Sequence, residues 1–512
     1  MSLATLEDTK APAPPTPWPP SPTLYEIDTW VWLSDLARKH GRPVDLGSVP
    51  RPEWDAIAEF GFDAVWLMGV WERSPAGIAI ANENGGLIAD FRRALPDFEI
   101  VDNVGSPYCI RNYEVDSHLG GTAGLASARK ELAQRGIKLI VDFVPNHVAP
   151  DHTWTITHPE YFVQGTTQDA LNNPDLFLVR NGNVFARGRD PNFPAWPDVL
   201  QLNAFHSGLR IAIVDTLRSI AGRADGVRCD MAMLPMTAIF ERTWGSRAGE
   251  VPAHEYWRDV IGAVKAASPD FLFVGEAYWN LEWDLQQQGF DYCYDKKLYD
   301  LLEHSNAEAV RLHLCADLAY QKKLLRFIEN HDEPRAASAF AGAKQRAAAL
   351  TVATLPGIRM FHEGEFEGRT VRPPVFLGRR PEEPADEGLR RFYRKLLTAV
   401  NRPIFRIGDW ALCERGGWPD NSTYQNIAAW HWTLEYERVL VVVNLSDSLS
   451  QAHVRVPWTG LSKETVKLRD RVNGVEYVRA GTEMDSPGLY VELAPWGFHF
   501  FEVRGSGNVQ AS

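Results

Sequence analysis

The sequence predicts an α/β barrel that is followed by a smaller all-β domain. The first observation is the stretch from Gly208 to Met233, in which a helix, a glycine and a short apolar strand follow one another and end in charged residues. The second is that this alternation recurs along the first three quarters of the chain, as in parallel α/β folds. The third is that short strands between turn residues replace it near the C-terminus.

The helix of the Gly208–Met233 stretch is predicted from its apolar residues. Leu209, Ile213, Leu217 and Ile220 recur at helical spacing and define one buried face. Gly222 is placed to end this helix, since glycine is the usual residue just past a helix C-terminus. The apolar run that follows therefore starts a new element, which we interpret as a buried strand.

Arg228 and Asp230 stand two residues apart at the end of this strand. Residues at that spacing share one face of a strand, so the two side chains point the same way. A guanidinium favours the ionised form of a neighbouring carboxyl group, and an ionised carboxylate is what a nucleophile requires. This pair alone is equally compatible with a catalytic site and with a structural ion pair. The residues at the ends of the other predicted strands are needed to decide between the two.

Eight segments of the chain read as strands, with helices between most of them. A parallel barrel with an insertion after its third strand, a (β/α)8 TIM barrel, requires this count. The eight segments are 24–33, 62–70, 137–144, 224–230, 271–279, 290–295, 324–335 and 357–369. The region between Gly69 and Gly120 is predicted to be a long loop.

The chain divides into four predicted parts. Residues 1–22 form a proline-rich arm of poor order. Residues 23–148 and 204–404 form the barrel, and 149–203, rich in proline, asparagine and aromatic residues, form a small inserted domain. Residues 405–512 form the all-β domain, for which we expect a structural role.

Composition narrows the class of ligand. The chain has 53 basic and 66 acidic residues and a net charge of -13, which argues against nucleic acid as a partner. A neutral ligand fits better, and 18 tryptophans suit the flat apolar faces of sugars. We find no signal peptide and no apolar run of membrane-spanning length, so we expect a cytoplasmic protein that does not bind a membrane.

The cysteines support the same compartment. There are five, an odd number, and they are scattered without any CxxC spacing. This pattern predicts reduced thiols in a reducing compartment rather than disulfides or a zinc site.

Four carboxylates lie at or near the ends of predicted strands: Asp142, Asp230, Glu276 and Asp332. A barrel brings its strand ends together whatever their separation in sequence, so these groups should converge. Two carboxyl groups about 5 Å apart, one ionised and one protonated, are the minimum for cleaving a glycosidic bond with retention. The sequence therefore predicts a glycosidase site.

Each carboxylate receives a predicted role from its neighbours. Asp230 beside Arg228 is the ionised nucleophile. Glu276 follows the apolar run FLFVG and precedes Ala277, Tyr278 and Trp279. This less polar setting raises a carboxyl pKa and suits a general acid. Asp332 would bind sugar hydroxyls and stabilise positive charge as an oxocarbenium ion develops.

Two histidines also follow predicted strands. His147 and His331 could donate hydrogen bonds to hydroxyls of the same sugar, although a histidine of this kind is more often a satisfied structural residue. A metal site is the competing interpretation, but no HxH or HExxH spacing supports it. We therefore predict no metal ligands.

These segments resemble the signature sequences of the alpha-amylase family, glycoside hydrolase family 13. The four segments are DFVPNH (142–147), GVRCD (226–230), the glutamate of VGEAYW, and ENHD (329–332), in the order found in that family. SPYCIRNYEVD and WPDVLQLN resemble two further family segments, one before the third strand and one near the end of the inserted domain.

The resemblance implies a barrel with a small domain after strand three and a C-terminal β-sandwich. It implies that Asp230 is the nucleophile, Glu276 the acid/base and Asp332 the transition-state stabiliser. The resemblance also implies a set of substrate-binding side chains: Tyr108, which stacks on the sugar, Asp142, His147, Arg228, His331 and Arg372. Arg372 is chosen here in preference to Arg369. Asn146, like Asp142, matches a supporting position.

Departures from the family limit what is carried over. Met233 and Leu234 stand where many starch-cleaving members have lysine and histidine against the sugar beyond the cleavage point, and Asn112 replaces an aspartate. The acceptor side should therefore be less polar than in a typical endo-amylase. The family often holds calcium near the residue that matches Asn146, but no cluster of carboxylates here requires it. No cofactor is predicted as required.

The sequence therefore predicts a retaining glycoside hydrolase that acts on α-glucosidic bonds of oligosaccharides or α-glucans. A transglycosylase or a disaccharide isomerase of the same family is the alternative, since these share the covalent intermediate. A non-catalytic relative and an unrelated, metal-dependent barrel enzyme are the other interpretations. The sequence indicates no oligomeric state.

Overall fold

Eight parallel strands close into a barrel, as the sequence predicts. In the computed structural model each strand pairs with the next along the chain, and the eighth closes on the first. Barrel strands 1 to 8 are Thr23–Asp28, Ala64–Met68, Lys138–Phe143, Gly226–Cys229, Leu272–Gly275, Tyr292–Tyr294, Leu324–Arg326 and Ile358–His362. Nearly all of their residues are buried, because the barrel interior faces one way and the helices cover the other.

The structure describes residues 17–459, 461–463 and 465–505. Residues 1–16 of the predicted arm and 506–512 at the other end lie outside this range. The described end of the arm contacts the barrel: the indole of Trp18 donates a hydrogen bond of 2.9 Å to the backbone oxygen of Asp270. Lys138 Nζ lies 5.1 Å from the centre of the same ring.

Barrel strand 1 is shorter than the sequence suggests. The apolar run 24–33 reads as one strand, but the strand ends at Asp28 and the helix Thr29–His40 begins there. The Asp28 carboxylate accepts a hydrogen bond from the backbone N–H of Val31 and caps that helix. An apolar run of this length is ambiguous by periodicity alone, so the capping aspartate was the informative residue.

Helices surround the barrel and fill the connections between its strands. In chain order they are Thr29–His40, Arg51–Ala58, Pro75–Glu83, Gly85–Ala94, Gly121–Gln134, Ser207–Ala221, Thr237–Trp244, Tyr256–Lys265, Glu282–Gln287, Lys296–His304, Ala307–His313, Leu318–Gln321, Ala336–Ala339, Ala343–Thr354, Glu387–Val400 and Ile404–Ile407. No helix among the described residues is long and apolar enough to cross a membrane.

The region between Gly69 and Gly120 is not the long loop that we predicted. It contains the helices Pro75–Glu83 and Gly85–Ala94, named here the helical pair, and an antiparallel ribbon of Trp71–Arg73 with Ile110–Val115. Asn84 ends the first helix and caps the second, accepting hydrogen bonds from two backbone N–H groups of its first turn. This capping signal was present in the sequence and was missed.

The inserted segment carries two small sheets. The strand His147–Val148 pairs with Leu200–Gln201, and Phe177–Arg180 forms a hairpin with Asn183–Ala186. Two short helices, Trp154–Thr157 and Thr167–Asn172, precede the hairpin. The pairing of its first and last strands holds the segment beside the carboxyl end of barrel strand 3.

The C-terminal part is an antiparallel β domain, as predicted. The six-stranded sheet has the order Asp409–Leu412, Ile427–Leu434, Glu437–Asn444, Phe498–Gly505, Thr465–Asp470 and Glu476–Ala480. The three-stranded sheet has the order Glu414–Gly416, Ser450–Arg455 and Leu489–Leu493. A short helix, Gly481–Asp485, lies between strands.

The β domain packs against the barrel through aromatic side chains. The Trp432 indole donates a hydrogen bond of 2.7 Å to the backbone oxygen of Thr354, and its ring lies 5.5 Å from that of Phe405. Both aromatic residues are buried. The contact therefore fixes the β domain on the side of the barrel, next to the helix Ala343–Thr354.

Gly357, at the entry to barrel strand 8, provides a test of the packing. Its φ is +95°, and a Cβ placed there would lie 2.3 Å from the backbone oxygen of Leu324. Alanine should therefore strain the strand and lower the midpoint of thermal unfolding by about 1–3 °C, since such strain costs about 1–3 kcal/mol. Circular dichroism during heating measures this midpoint.

Gly262→Ala is the matched control. Gly262 lies in the helix Tyr256–Lys265, where an added Cβ meets nothing within 4 Å. We expect this variant to equal or exceed the parent in stability, because alanine is the better helix former by about 1 kcal/mol. Equal midpoints for the two variants would refute the tight packing at Gly357.

Candidate active site

The predicted catalytic carboxylates meet at the carboxyl end of the barrel. Asp230 directly follows barrel strand 4, and Glu276 directly follows barrel strand 5. The strand register continues into them, because the Asp230 N–H donates to Phe143 O and the Glu276 N–H donates to Cys229 O. Asp332 stands six positions beyond Arg326, the last residue of barrel strand 7.

Arg228 joins the first two of these groups. Its Nη1 donates a hydrogen bond of 2.8 Å to Asp230 Oδ1, and its Nη2 lies 2.8 Å from Glu276 Oε2. A guanidinium fixes its two terminal nitrogens about 2.3 Å apart, so these two oxygens are at most about 8 Å from one another. Glycosidase carboxyl groups are about 5–5.5 Å apart in retaining enzymes and about 6.5–9.5 Å apart in inverting ones, so this upper limit is compatible with a glycosidase pair.

Aromatic rings enclose the same guanidinium. Arg228 Cζ lies 5.2 to 5.6 Å from the ring centres of Tyr108, Trp66 and Tyr294. Only 1% of the Arg228 surface is exposed. Its charge is therefore shielded from water. Its attraction to the two carboxylates is stronger than it would be at the protein surface, since the dielectric of such a site is low.

Glu276 is held in a protonated form up to neutral pH. Burial raises its pKa to about 7; Arg228 acts against this shift, while the neighbouring Asp230 and Asp332 add to it. Its Oε2 accepts a hydrogen bond from the Met231 backbone N–H, and its Oε1 accepts one of 3.0 Å from the Tyr278 hydroxyl. A carboxyl group with this pKa can donate a proton near pH 7.

Two opposing effects act on the pKa of Asp230. Burial raises its pKa above the usual value, whereas the charge and the hydrogen bond of Arg228 lower it. The direct hydrogen bond to the guanidinium favours the carboxylate form. Of the two carboxyl groups on Arg228, Asp230 is therefore the better candidate for the ionised state.

Asp332 and His331 form a second ion pair that extends to Glu26. His331 Nε2 lies 3.0 Å from Asp332 Oδ2, and its Nδ1 lies 2.5 Å from Glu26 Oε1. Burial alone would lower the pKa of His331, but the two carboxylates raise it well above its ordinary value. Burial likewise opposes ionisation of Asp332; His331 nevertheless holds the pKa of this carboxyl at about 2, with 42% of the side chain exposed.

Asp142 lies beneath the site rather than in it. It is fully buried, and its carboxylate accepts hydrogen bonds from the Trp66 indole and the Gly69 backbone N–H. Burial raises its pKa to about 6, and the charge of Arg228, its neighbour in the strand register, acts against this shift. Asp142 is not among the residues that line the cavity described below, and its contacts agree with the supporting position that the resemblance implies.

A cavity of about 360 Å³ opens over the carboxylates and is named here the central chamber. Its polar wall includes Asp230, Glu276 and Asp332, and its other walls include Tyr108 and His147. The remaining lining residues are Ser106, Trp196, Asp198, Val199, Met231, Tyr278 and Phe376. The structure thus brings the three predicted catalytic residues to one cavity.

A second cavity of about 480 Å³ adjoins the first and is named here the side chamber. Asp332 and Phe376 line both chambers, so these two residues mark the boundary between them. The side chamber lies between the helical pair and the segment 371–376. Arg93 of the helical pair and Arg372 stand in its walls.

His147 is buried in the wall of the central chamber. Burial lowers its pKa to about 3, so the imidazole is neutral at neutral pH. Its ring lies 5.1 Å from Trp196, and Asn146 Nδ2 lies 3.3 Å from its Nδ1. A neutral imidazole of this kind can donate one hydrogen bond to a ligand in the chamber.

The structure also distinguishes the two arginines after barrel strand 8. Arg372 donates a hydrogen bond to the backbone oxygen of Asp332 and lines the side chamber. Arg369 instead lies 3.7 Å from Asp35. Arg372 is therefore the one beside the carboxylates, although its contact with a sugar remains a prediction.

The residues that we expected on the acceptor side are not in the cavity wall. Met233 and Leu234 are buried among core side chains, with 0% and 3% of their surface exposed. Met231, one residue after Asp230, lines the central chamber instead, and its backbone has a φ of 41°. The sharp turn after barrel strand 4 thus directs Met231 into the cavity and the next residues away from it.

Two functional residues were missed by the sequence analysis. Glu26 binds His331 from barrel strand 1, and Tyr278 donates its hydroxyl to Glu276. The signal for Glu26 was a lone charged residue within a buried strand, TLYEID. The sequence analysis counted Tyr278, two residues after Glu276, as part of a less polar setting and did not predict that its hydroxyl donates to the carboxylate.

Asn146, the position at which related proteins often hold calcium, does not fit an ion here. The amide nitrogen of Gln201 donates hydrogen bonds of 2.8 to 3.0 Å to Asn146 Oδ1, Asn146 O and Leu202 O. Three oxygens beside Asn146 are therefore already engaged by this amide. In the described ranges no group of three or more histidine, cysteine, aspartate or glutamate residues could hold a metal.

The fold and this site together define a barrel protein with an acidic cleft at the carboxyl ends of its strands. The family profile of the alpha amylase catalytic domain matches residues 53–207. This match confirms the resemblance to the alpha-amylase family that was seen in the sequence.

Individual relatives are distant. The chain is 25% identical over 402 residues to the alpha-amylase MalA of Haloarcula japonica, a match that covers 76% of this chain and 51% of that protein. It thus spans about half the length of the first curated relatives that it matches.

Two solved structures share the fold over nearly the whole chain. The maltogenic alpha-amylase AmyB from Thermotoga neapolitana superposes with a TM-score of 0.68 at 18% identity, covering 94% of this chain and 98% of that one. An isomaltulose synthase mutant from Erwinia rhapontici, in complex with sucrose, has a TM-score of 0.66 at 15% identity, covering 96% and 100%. At these identities the likeness concerns the fold.

The raised pKa of Glu276 predicts a specific dependence of stability on pH. The folded protein keeps this proton up to about pH 7, whereas the unfolded chain releases it near 4.5. The folded state binds more protons between these values, so the stability that Glu276 contributes is lost as pH rises through this window. In Glu276→Gln this loss disappears, and the variant should gain stability relative to the parent between pH 5 and pH 8.

Urea unfolding curves at several pH values measure the difference. The exposed Glu83→Gln is the matched control for the change from carboxylate to amide. If the Glu276→Gln variant and the parent follow parallel courses across the window, the raised pKa is wrong.

Proposed function

We propose that the protein is a retaining enzyme that acts on α-glucosidic bonds of oligosaccharides or α-glucans. The observation that carries this proposal is that Asp230 and Glu276 share the buried guanidinium of Arg228 at one cavity, yet differ in their remaining contacts. Asp230 receives a direct hydrogen bond from Arg228, and Glu276 has a pKa of about 7. Glycoside cleavage by two carboxyl groups requires this division between an ionised and a protonated group, and retention follows where the ionised group itself attacks the sugar.

In the first step, Asp230 attacks the anomeric carbon of the sugar in the central chamber. As the new bond from the Asp230 oxygen to this carbon forms, the bond from the carbon to the glycosidic oxygen breaks. Glu276 transfers its proton to the departing oxygen, which leaves as an alcohol. The products of the step are a glycosyl ester on Asp230 and an ionised Glu276.

In the second step, Glu276 acts as a base. It removes a proton from a water molecule or from a sugar hydroxyl, whose oxygen attacks the anomeric carbon and displaces Asp230. Two inversions at the same carbon give net retention of configuration. Glu276 ends the cycle protonated and Asp230 ionised, so no other reactant is needed.

Asp332 is suited to support both steps. Its carboxylate is ionised at neutral pH and lies in the cavity wall, where it can stabilise the positive charge of the oxocarbenium-like transition state. His331, protonated between Asp332 and Glu26, fixes the position of this carboxylate. Tyr108, whose hydroxyl lies 2.5 Å from His331 Nε2, would provide the aromatic face on which the sugar stacks.

The two chambers support a substrate with more than one sugar ring. Each chamber is large enough for a sugar ring, and they meet at Asp332 and Phe376. The mixed polar and apolar walls suit a neutral oligosaccharide, which agrees with the net charge of -13.

Transfer or isomerisation is the second candidate activity. Met231, Val199, Trp196 and Phe376 make much of the central chamber apolar, which favours a sugar over water as the group that attacks the intermediate. The proposed catalytic steps use no metal, and the amide of Gln201 at Asn146 supports a protein that needs no calcium. The five cysteines, all unpaired, support a reducing and cytoplasmic setting.

Substitution of the two central carboxylates tests the assigned roles. Asp230→Asn should abolish turnover and leave the circular dichroism spectrum unchanged, because an amide cannot form the ester. Glu276→Gln should lose about 10²–10⁴-fold on natural glycosides but far less on glycosyl fluorides, whose leaving group needs no proton. Initial rates on both substrate types measure the difference.

The exposed Asp284→Asn is the matched control for the first substitution and should retain full activity. Unchanged turnover in Asp230→Asn would refute the nucleophile. Equal losses of Glu276→Gln on both substrate types would refute the acid.

A substrate panel decides between hydrolysis and transfer. Maltooligosaccharides, isomaltose, trehalose and sucrose are each incubated with the protein, and products are followed by NMR from the first turnovers. We expect products of α configuration from at least one of these substrates, and the same rates after dialysis against EDTA. Products that first appear as the β-anomer would overturn retention, and new linkages would identify a transferase or an isomerase.

A further inference from the structure

A third cavity lies on the far side of the segment that walls the active site. Its volume is about 690 Å³, larger than either chamber of the cleft and within the range of ligand sites. The segment 103–111 lies between this cavity and the central chamber. Its residues Ser106 and Tyr108 line the central chamber, whereas Asn103, Val104 and Arg111 line the third cavity. The proposed catalytic roles use none of its side chains.

The guanidinium of Arg73 in this cavity is only partly satisfied. Arg73 is 5% exposed, and its Nη1 donates to the backbone oxygens of Gly105 and Val375. Its Nε and Nη2 are buried without a hydrogen-bond partner among the described residues. Burial lowers the pKa of this group to about 10, although the charges of Asp28 and Asp116 oppose the shift.

Trp30 adds an aromatic face and a further donor. Its ring lies 5.2 Å from Arg73 Cζ and lines the same cavity. The ring is half-buried, and its indole nitrogen also has no partner within the described part of the chain. Three buried donors thus stand unpaired beside one flat aromatic surface, and buried donors without acceptors are rare in folded proteins.

The rim of the cavity supplies acceptors. Glu72, Glu114 and Asp116 line it, and the Glu114 side chain is 73% exposed. Each of these acids has a basic neighbour, because Arg111 pairs with Glu72, His118 with Asp116 and Arg223 with Glu114, so the rim is mixed in charge and favours no ionic ligand. A sugar hydroxyl donates and accepts, so a neutral polyol can use both kinds of group, and an indole favours the apolar face of a pyranose ring.

We propose that this cavity is an auxiliary carbohydrate site, separate from the active site, in which a segment of a neutral α-glucan chain stacks on Trp30 and accepts hydrogen bonds from Arg73. The ligand class rests on the proposed function, because the same chain would then occupy both sites. Binding here would hold a long substrate to the barrel and raise its concentration near the cleft. No reaction takes place in this cavity.

Calorimetric titration with maltoheptaose tests the proposal. Glu276→Gln is the background, so that bound sugar is not turned over. We expect two binding events; Trp30→Ala should weaken one of them about tenfold, as expected for loss of an aromatic contact and a donor. Tyr108→Ala should weaken only the other. In the otherwise unchanged enzyme, Trp30→Ala should raise KM for long chains and leave rates on maltotriose unchanged.

Two further variants control for folding. Glu114→Ala removes an exposed acceptor, loses no packing, and should weaken the same event about threefold. Tyr436→Ala removes an aromatic ring that is 82% exposed on the β domain and should change neither event.

The outcomes separate this proposal from the proposed function. An active enzyme with one binding event that Trp30→Ala leaves unchanged would overturn the auxiliary site alone. Absence of all maltoheptaose binding would overturn it as well. A Trp30-dependent event in a protein that cleaves no α-glucoside would support the auxiliary site and refute the function.

Discussion

The site depends on one buried positive charge. Arg228 has two carboxyl groups within 2.8 Å and three aromatic rings around it, and almost none of its surface reaches water. A guanidinium in such a place is stable only while at least one carboxylate remains ionised beside it, because an unpaired buried charge costs several kcal/mol. This constraint keeps one negative charge at the cleft, while burial leaves the second carboxyl group its proton.

The barrel makes this arrangement possible. Asp230 and Glu276 follow neighbouring strands, and the parallel register places them side by side although 45 residues of sequence lie between them. Asp142, beside Arg228 on the other neighbouring strand, is buried and holds the loop after strand 2. The acidic cleft is thus a direct result of strand order, and His331 extends it to the first strand through Glu26.

Much of this was predictable from the sequence, and the failures have physical reasons. The eight strands were predictable because each is a short apolar run, and the carboxylates because they follow such runs. The helical pair was missed because its signals were capping residues, Ser74 and Asn84, rather than a strong apolar stripe. Met233 and Leu234 lie outside the cavity wall because the positive φ of Met231 turns the chain, and no spacing rule encodes that turn. The roles of the site residues stay predictions until variants are measured.

The helical pair has a consequence for how this protein could acquire new specificity. Its second helix meets the segment after barrel strand 8 through Phe91 and Phe376, whose rings lie 5.6 Å apart, and Arg379 pairs with both Asp97 and Asp102. Both partners lie outside the barrel strands, so exchanging them alters the space beside Asp332 without disturbing the carboxylates on Arg228. Natural variation in chain-length preference can therefore accumulate in a peripheral element while the chemistry beneath it is inherited intact.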